Sequence, residues 1–257
     1  MIERAICPPL PKKKANAPGT AGLAKVVGGN PVLIVGIGAS AGGLDAYRSF
    51  FSAMPADTGM AFVLIQHLSP DYKSMLADLL GKSTEMSVIE AIDGVAVKPN
   101  CVFVIPPDAT MTSDGGRLKI VKPAPPRNLR RPIDTFFQSL AIDQGENAVC
   151  IILSGTGSDG TLGAVAIKEK GGFTLAQAEF DHHAMSGMPQ SAAASGQVDD
   201  VLAVEAMPSR LIAYQRHLTG VAANKAEDGT RTDAASHLTS IIGALRARSG
   251  HLLAVRL

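Results

Sequence analysis

The sequence predicts an α/β fold: a doubly wound, mainly parallel sheet with helices on both faces, folded as a single domain over residues 32–218. Three observations carry this reading. Apolar runs such as "AFVLIQ" (61–66) and "AVCIILSG" (148–155) lack the in–out alternation of a half-solvated sheet, so they read as strands buried on both faces. Stretches with helical spacing separate these runs. At 257 residues and 46% hydrophobic, the chain can bury one large core.

The elements follow in order. Residues 1–31, rich in Pro, Ala, Gly and Lys, read as a disordered basic tail. Lys12, Lys13 and Lys14 have no apolar segment behind them, so they form a solvated tail and not a secretory signal. Val32–Ile37 is the first strand and Gly43–Met54 the first helix. Ala61–Gln66 is the second strand, followed by a helix near Asp71–Gly81. Shorter strands are expected at Met86–Ile89, Cys101–Ile105 and Leu118–Val121. "RRPIDTFFQSLAIDQG" reads as a helix starting at its proline. Residues 148–155 form the third strong strand, Thr161–Lys170 a helix, 172–177 a fourth strand and Met188–Ser195 a short helix. "VDDVLAV" reads as an edge strand. Residues 219–257 read as a polar linker (219–235) and an amphipathic helix, Leu238–Arg248, ending on Gly250.

Composition narrows the function. A net charge of +1 gives no electrostatic case for nucleic acid, and 4% aromatics without Trp weakens a base-stacking role. The three cysteines, Cys7, Cys101 and Cys150, are odd in number and far apart. That argues against a disulfide framework or zinc site and for a reducing, cytoplasmic compartment. No uninterrupted apolar stretch is long enough to span a membrane.

The turn in "LIVGIGASAGGLDA" (33–46) admits two readings. Gly36, Gly38 and Ala41 match a dinucleotide fingerprint; Gly38, Ser40 and Gly42 match the G-x-S-x-G turn that raises a nucleophilic serine. A dinucleotide site wants an Asp or Glu at the end of the second strand, about 20 residues on. That position holds Gln66-His67. Imidazole is a poor ribose ligand but a good general base.

In an open parallel sheet, sites form at the carboxyl ends of strands. Ser40 follows the first strand, His67 the second, "SGTGSDG" (154–160) the third strong strand, and Gln177 and Glu179 the fourth. A serine needs a base, and the base an orienting partner. Ser40, His67 and Asp159 can fill those roles, and the helix behind Ser40 offers free N–H groups to an oxyanion. Each residue also has a bland reading: Ser40 and Asp159 as helix caps, His67 as a strand-end hydrogen bonder. "DHH" (181–183) lacks metal-ligand spacing and reads as a surface loop. Lys122, Arg127, Arg130 and Arg131 form a basic stretch that is either solvated or a surface for an acidic protein.

The blocks "VGIGASAGGLDA", "LIQHLSP", "RRPIDTFFQSLA", "LSGTGSDGTLGA" and "SGMPQSA", in this order, resemble the catalytic domain of bacterial chemotaxis protein-glutamate methylesterases, over about residues 32–215. The resemblance implies a serine esterase that hydrolyses glutamyl methyl esters on chemoreceptor helices, with possible glutamine deamidation as a second activity. By motif it implies Ser40, His67 and Asp159 as the triad, Ala41, Gly42, Thr156 and Gly157 as oxyanion or substrate-positioning residues, and no cofactor or metal. Many members carry threonine where this chain has Ala41, and methionine where it has Thr156. Two alternatives stay open: a catalytically idle interaction domain of a methylation system, and a dinucleotide-binding oxidoreductase. Residues 1–31 are too few for a receiver domain, which needs on the order of 100 residues. The expectation is therefore a receiver-less form without phosphorylation gating in cis. "SIIGALRARSGH" resembles the start of a receptor methyltransferase, which makes a fused or separate methyltransferase an expected partner.

Overall fold

The computed structural model describes residues 32–67, 75–122, 130–178 and 187–227. Two compact units divide the chain, residues 1–212 and 213–257. The first holds the elements β1 (Ile34–Ala39), α1 (Gly43–Ala53), β2 (Ala61–Gln66), α2 (Leu76–Leu80), β3 (Ser87–Glu90), β4 (Val95–Ala96), β5 (Cys101–Val104), β6 (Thr110–Asp114), β7 (Arg117–Val121), α3 (Pro132–Gln144), β8 (Ala148–Ile152), α4 (Thr161–Glu169), β9 (Phe173–Gln177), α5 (Gly187–Ala194) and β10 (Asp200–Leu202). It also holds the start of α6 (Met207–Glu227).

Seven strands form one sheet in the order β10-β9-β8-β1-β2-β5-β3, every neighbouring pair parallel. Strand β1 is central and fully buried, flanked by β8 on one side and β2 on the other. The connection order reverses there, so the crevice at the carboxyl ends of β1, β2 and β8 is the topological switch point, where such sheets build their sites.

Side chains alternate across β1. Ile34 joins a buried cluster with Ile133, Phe136, Phe137 and Leu140 of α3 and Ile167 of α4. Gly36 and Gly38 share that face. A Cβ at Gly36 would lie 2.9 Å from the Phe137 ring, and one at Gly38 2.4 Å from Ile133 Cγ2. These glycines let α3 lie directly on the strand, so the G-x-G of the sequence serves helix–sheet packing and not a pyrophosphate. On the other face, Phe50 and Phe51 of α1 pack edge-on against Phe62 of β2, with centroids 5.9 and 5.4 Å away. Tyr47 anchors α1 by donating to Ile37 O (3.2 Å) and Ile65 O (3.1 Å). Burial pushes its phenol far above the usual value, which keeps the hydroxyl neutral and able to donate.

Two features depart from expectation. Strands β4, β7 and β6 form a second, antiparallel three-stranded sheet, of which only β7 is anticipated by the sequence reading. Strand β4 is too short to show a pattern, and β6 ("TMTSD") has a single apolar residue, Met111. Its signal is Asp114-Gly115-Gly116, a turn before the apolar alternation of β7. Carboxylate Asp143, at the C-terminal end of α3, holds this hairpin by accepting the N–H groups of Gly115 (2.7 Å) and Gly116 (3.1 Å) and the Ser113 hydroxyl (2.5 Å). Second, α6 runs to Glu227, so residues 219–227 are helical and not linker. "VAANKAE" is rich in good helix formers. In the second unit, residues 213–227 of this helix are described. The expected tail (1–31) and amphipathic helix (238–248) lie outside the described residues. No described helix is long and apolar enough to cross a membrane.

Candidate active site

Three strand ends deliver three side chains to one rim of the sheet. Residue Ser40 directly follows β1, His67 directly follows β2, and Asp159 lies in the loop between β8 and α4. Ser40 Oγ is 3.4 Å from His67 Nδ1, and His67 Nε2 is 2.7 Å from Asp159 Oδ2. The histidine is one-third exposed at the rim, while Asp159 is buried.

Asp159 owes its position to α3. Its Oδ1 accepts the Asp134 N–H (2.9 Å) and its Oδ2 the Ile133 N–H (3.2 Å), two of the unpaired donors of the helix's first turn, just after Pro132. Burial alone would raise the Asp159 carboxyl. The hydrogen bond from His67, the two backbone N–H groups and the charge of His67 outweigh it and hold the group below the usual carboxylate range. A carboxylate only accepts hydrogen bonds, so Nε2 of His67 must carry the proton it shares with Asp159. In the neutral ring this leaves the Nδ1 lone pair facing the Ser40 hydroxyl. That is the arrangement a general base needs to take a proton from a serine.

Asp134 returns the contact. Its Oδ1 accepts the N–H groups of Gly160 and Gly163, both at 2.9 Å, at the N-terminus of α4. Oδ2 pairs with Arg131 at 3.2 Å. Burial, together with the neighbouring Asp159 charge, raises the Asp134 carboxyl despite these hydrogen bonds. The sequence reading missed Asp134 because an acid in the first turn of a helix is commonplace.

The turn that carries Ser40 is held from below by Ser154. The Ser40 N–H donates to Ser154 O (2.9 Å) and the Ser154 hydroxyl to Ala41 O (2.9 Å). Gln177, singled out at the fourth strand end, accepts the Ser154 N–H at 2.8 Å. Gly155 packs between Ser40 and Met188: an added Cβ would meet Met188 Sδ at 2.2 Å and Ser40 Cβ at 3.0 Å. Only glycine fits behind the serine. Ala41, Gly42, Thr156 and Gly157 are exposed around the same rim. The N–H groups of Ala41 and Gly42 donate to no described acceptor.

Other candidates take different places. Arg130 pairs with Asp108 (2.8 Å) and Arg131 with Asp134, so both are engaged within the fold; Lys122 is exposed just after β7. Arg127, Glu179 and the 181–183 histidines lie outside the described residues. Among the described residues no group of His, Cys, Asp and Glu could hold a metal ion.

Residues 35–211 match the family model described as CheB methylesterase. A Photorhabdus laumondii protein named "Protein-glutamate methylesterase/protein-glutamine glutaminase" is 34% identical over 184 residues, covering 70% of this chain and 52% of that protein. Proteins of the same name from Pectobacterium atrosepticum and Methylobacillus flagellatus are 33% and 34% identical, over 79% and 76% of this chain and 59% and 56% of theirs. The chain thus spans little more than half the length of these relatives. The crystal structure of the Thermotoga maritima CheB methylesterase catalytic domain is similar with a TM-score of 0.65 and 30% identity, covering 72% of this chain and all of that one.

Proposed function

The chain belongs to the CheB methylesterase family, and on that premise we propose that it is a serine esterase hydrolysing glutamyl methyl esters on the cytoplasmic helices of chemoreceptors. The observation that carries the reading is the contact chain Ser40 Oγ–His67 Nδ1 and His67 Nε2–Asp159 Oδ2, at 3.4 and 2.7 Å.

Ser40 Oγ attacks the ester carbonyl carbon while His67 Nδ1 takes its proton. The negative charge that forms on the carbonyl oxygen is met by N–H groups at the N-terminal turn of α1 and in the 155–157 loop, where Ala41, Gly42, Thr156 and Gly157 are the candidate donors. Asp159 stabilises the imidazolium without accepting its proton, as its lowered pKa requires. The intermediate collapses, His67 protonates the leaving oxygen, and methanol departs. A water molecule, deprotonated by His67, then releases the glutamate carboxylate and free Ser40. A glutaminyl side chain would follow the same path with ammonia leaving, the second activity in the names of the relatives. The deciding experiment is methanol release from methylated receptor fragments by this chain and by Ser40→Ala. Equal rates would reject the esterase reading.

A further inference from the structure

We propose that Ser154 is a positioning residue of the esterase reaction: its buried hydroxyl selects the turn type at Ser40–Gly43 and thereby aims the Gly42 N–H into the site as an oxyanion donor. The proposal rests on the esterase reading above.

The geometry of the turn is specific. The Gly43 N–H donates to Ser40 O at 3.0 Å, closing a β-turn over Ser40, Ala41, Gly42 and Gly43. Gly42, at the third position, has φ 77° and ψ 0°. Ala41, at the second position, is not among the residues of positive φ, so those angles make a type II turn and not its type I′ relative. Its main competitor, type I, differs by a flip of the central peptide, here Ala41–Gly42, which takes the third residue to φ about −90°. The flip leaves the flanking chain in place but reverses the direction of one carbonyl and one N–H.

Ser154 decides between the two. In a trans peptide the C=O and N–H point opposite ways. The Ser154 hydroxyl, on a residue only 1% exposed, donates to Ala41 O at 2.9 Å and so draws that carbonyl inward. The Gly42 N–H of the same peptide unit must then face the opposite, exposed side of the turn. In the flipped state the buried hydroxyl would lose this acceptor and the N–H would leave the cleft side. Ser154 is itself fixed: its carbonyl accepts the Ser40 N–H (2.9 Å) and its N–H donates to Gln177 Oε1 (2.8 Å). The first of these contacts also removes the Ser40 N–H from the list of oxyanion donors. A Cβ on Gly42 would lie 2.8 Å from Ser154 Oγ, so the hydroxyl and the glycine are fitted to each other.

The test compares Ser154→Thr with Ser154→Val in the full chain. The two side chains have nearly the same shape and differ in the hydroxyl. The substrate is a peptide carrying a glutamate γ-methyl ester, and rates are normalised to the folded fraction. The threonine variant is expected to keep kcat within a few fold of wild type. The valine variant should lose kcat by roughly a hundredfold, the lower end of the scale for losing one oxyanion donor, with KM changed less than about threefold. Inhibition by benzeneboronic acid, which forms a tetrahedral adduct on a reactive serine, should weaken in parallel in the valine variant. A role in stability alone would lower its melting temperature and leave kcat and inhibition unmoved. Equal kcat in the two variants, against an active wild type, would overturn this proposal and spare the esterase reading. A wild type no faster than Ser40→Ala would overturn both.

Discussion

Asp134 and Asp159 cap each other's helices. The Asp159 carboxylate, just ahead of α4, accepts two N–H groups from the first turn of α3, while the Asp134 carboxylate, in that turn, accepts two from the start of α4. Two acids are thereby buried close together, and each is offset by the positive end of the other's helix. The carboxylate that orients His67 is thus part of the joint between two helices.

Asp134→Ala is therefore expected to act on both stability and catalysis. It leaves the Gly160 and Gly163 N–H groups without their acceptor, at a cost of about 1–3 kcal/mol. It also loosens the loop holding Asp159, so esterase kcat should fall although residue 134 does not touch His67. Asp134→Asn keeps an acceptor oxygen and should retain more of both. Urea denaturation together with steady-state kinetics checks this; an alanine variant as active and stable as wild type would show that the joint is dispensable.

Substitutions in the triad should have unequal effects. Ser40→Ala and His67→Ala should each abolish nearly all turnover, because nucleophile and base act as a unit. Asp159→Asn places an amide where a carboxylate accepted the Nε2 proton. It favours the tautomer with its proton on Nδ1, facing Ser40, and kcat should drop by up to about 10⁴-fold, short of complete loss. The asparagine should also destabilise the fold, because α3 loses its charged cap. Methanol release and thermal melts of the three variants test the ranking.

The fold class was legible because fully buried strands leave long apolar runs, and the parallel sheet follows from them. The strand-end rule then brought Ser40, His67 and Asp159 onto one short list, because β1, β2 and β8 are neighbours at the switch point. What stayed hidden depends on contacts between distant segments. Asp134 and Ser154 are ordinary residues of their elements until α3 lies on β1 and the 154–160 loop lies under the Ser40 turn. The glycine pattern was ambiguous for the same reason: Gly36 and Gly38 answer to Phe137 and Ile133, about a hundred residues later in the chain.

Gly38→Ala is expected to destabilise the domain by about 1–3 kcal/mol. Its new methyl would sit 2.4 Å from Ile133 Cγ2, and Ile133 also carries one of the N–H groups that hold Asp159. Moving α3 away to make room would therefore pull on the triad as well. The combination Gly38→Ala with Ile133→Ala, which removes the clashing Cγ2, should lose less stability and activity than the sum of the two single variants, which a cause local to the Ser40 turn would not allow. Denaturant midpoints and esterase rates of the single and double variants read the coupling.

The last prediction concerns acid. Asp143, Asp159 and Asp199 all have carboxyls held below the usual range. In each, burial pushes up and is outweighed: by the Ser113, Gln144, Gly116 and Gly115 contacts for Asp143, by His67 and the α3 N–H groups for Asp159, and by Lys168 and Thr174 for Asp199. A depressed folded value means that the unfolded chain binds the proton more readily. The stabilisation from these groups is complete above the ordinary carboxylate value near 4 and fades as the pH falls through the lower folded value. Asp134, raised by burial and by Asp159, has the opposite sign: its ionisation costs stability as pH rises, which partly offsets the others. Urea midpoints should accordingly be flat near neutral pH and fall steeply below about pH 4. Asp143→Asn isolates one contribution, since Asp143 lies at the far end of α3 and holds the β6–β7 turn. Its deficit relative to wild type should be largest at pH 7 and shrink toward zero as the medium becomes acidic. A deficit that stays constant from pH 7 to pH 2.5 would show that the ionised form of Asp143 contributes nothing beyond its shape.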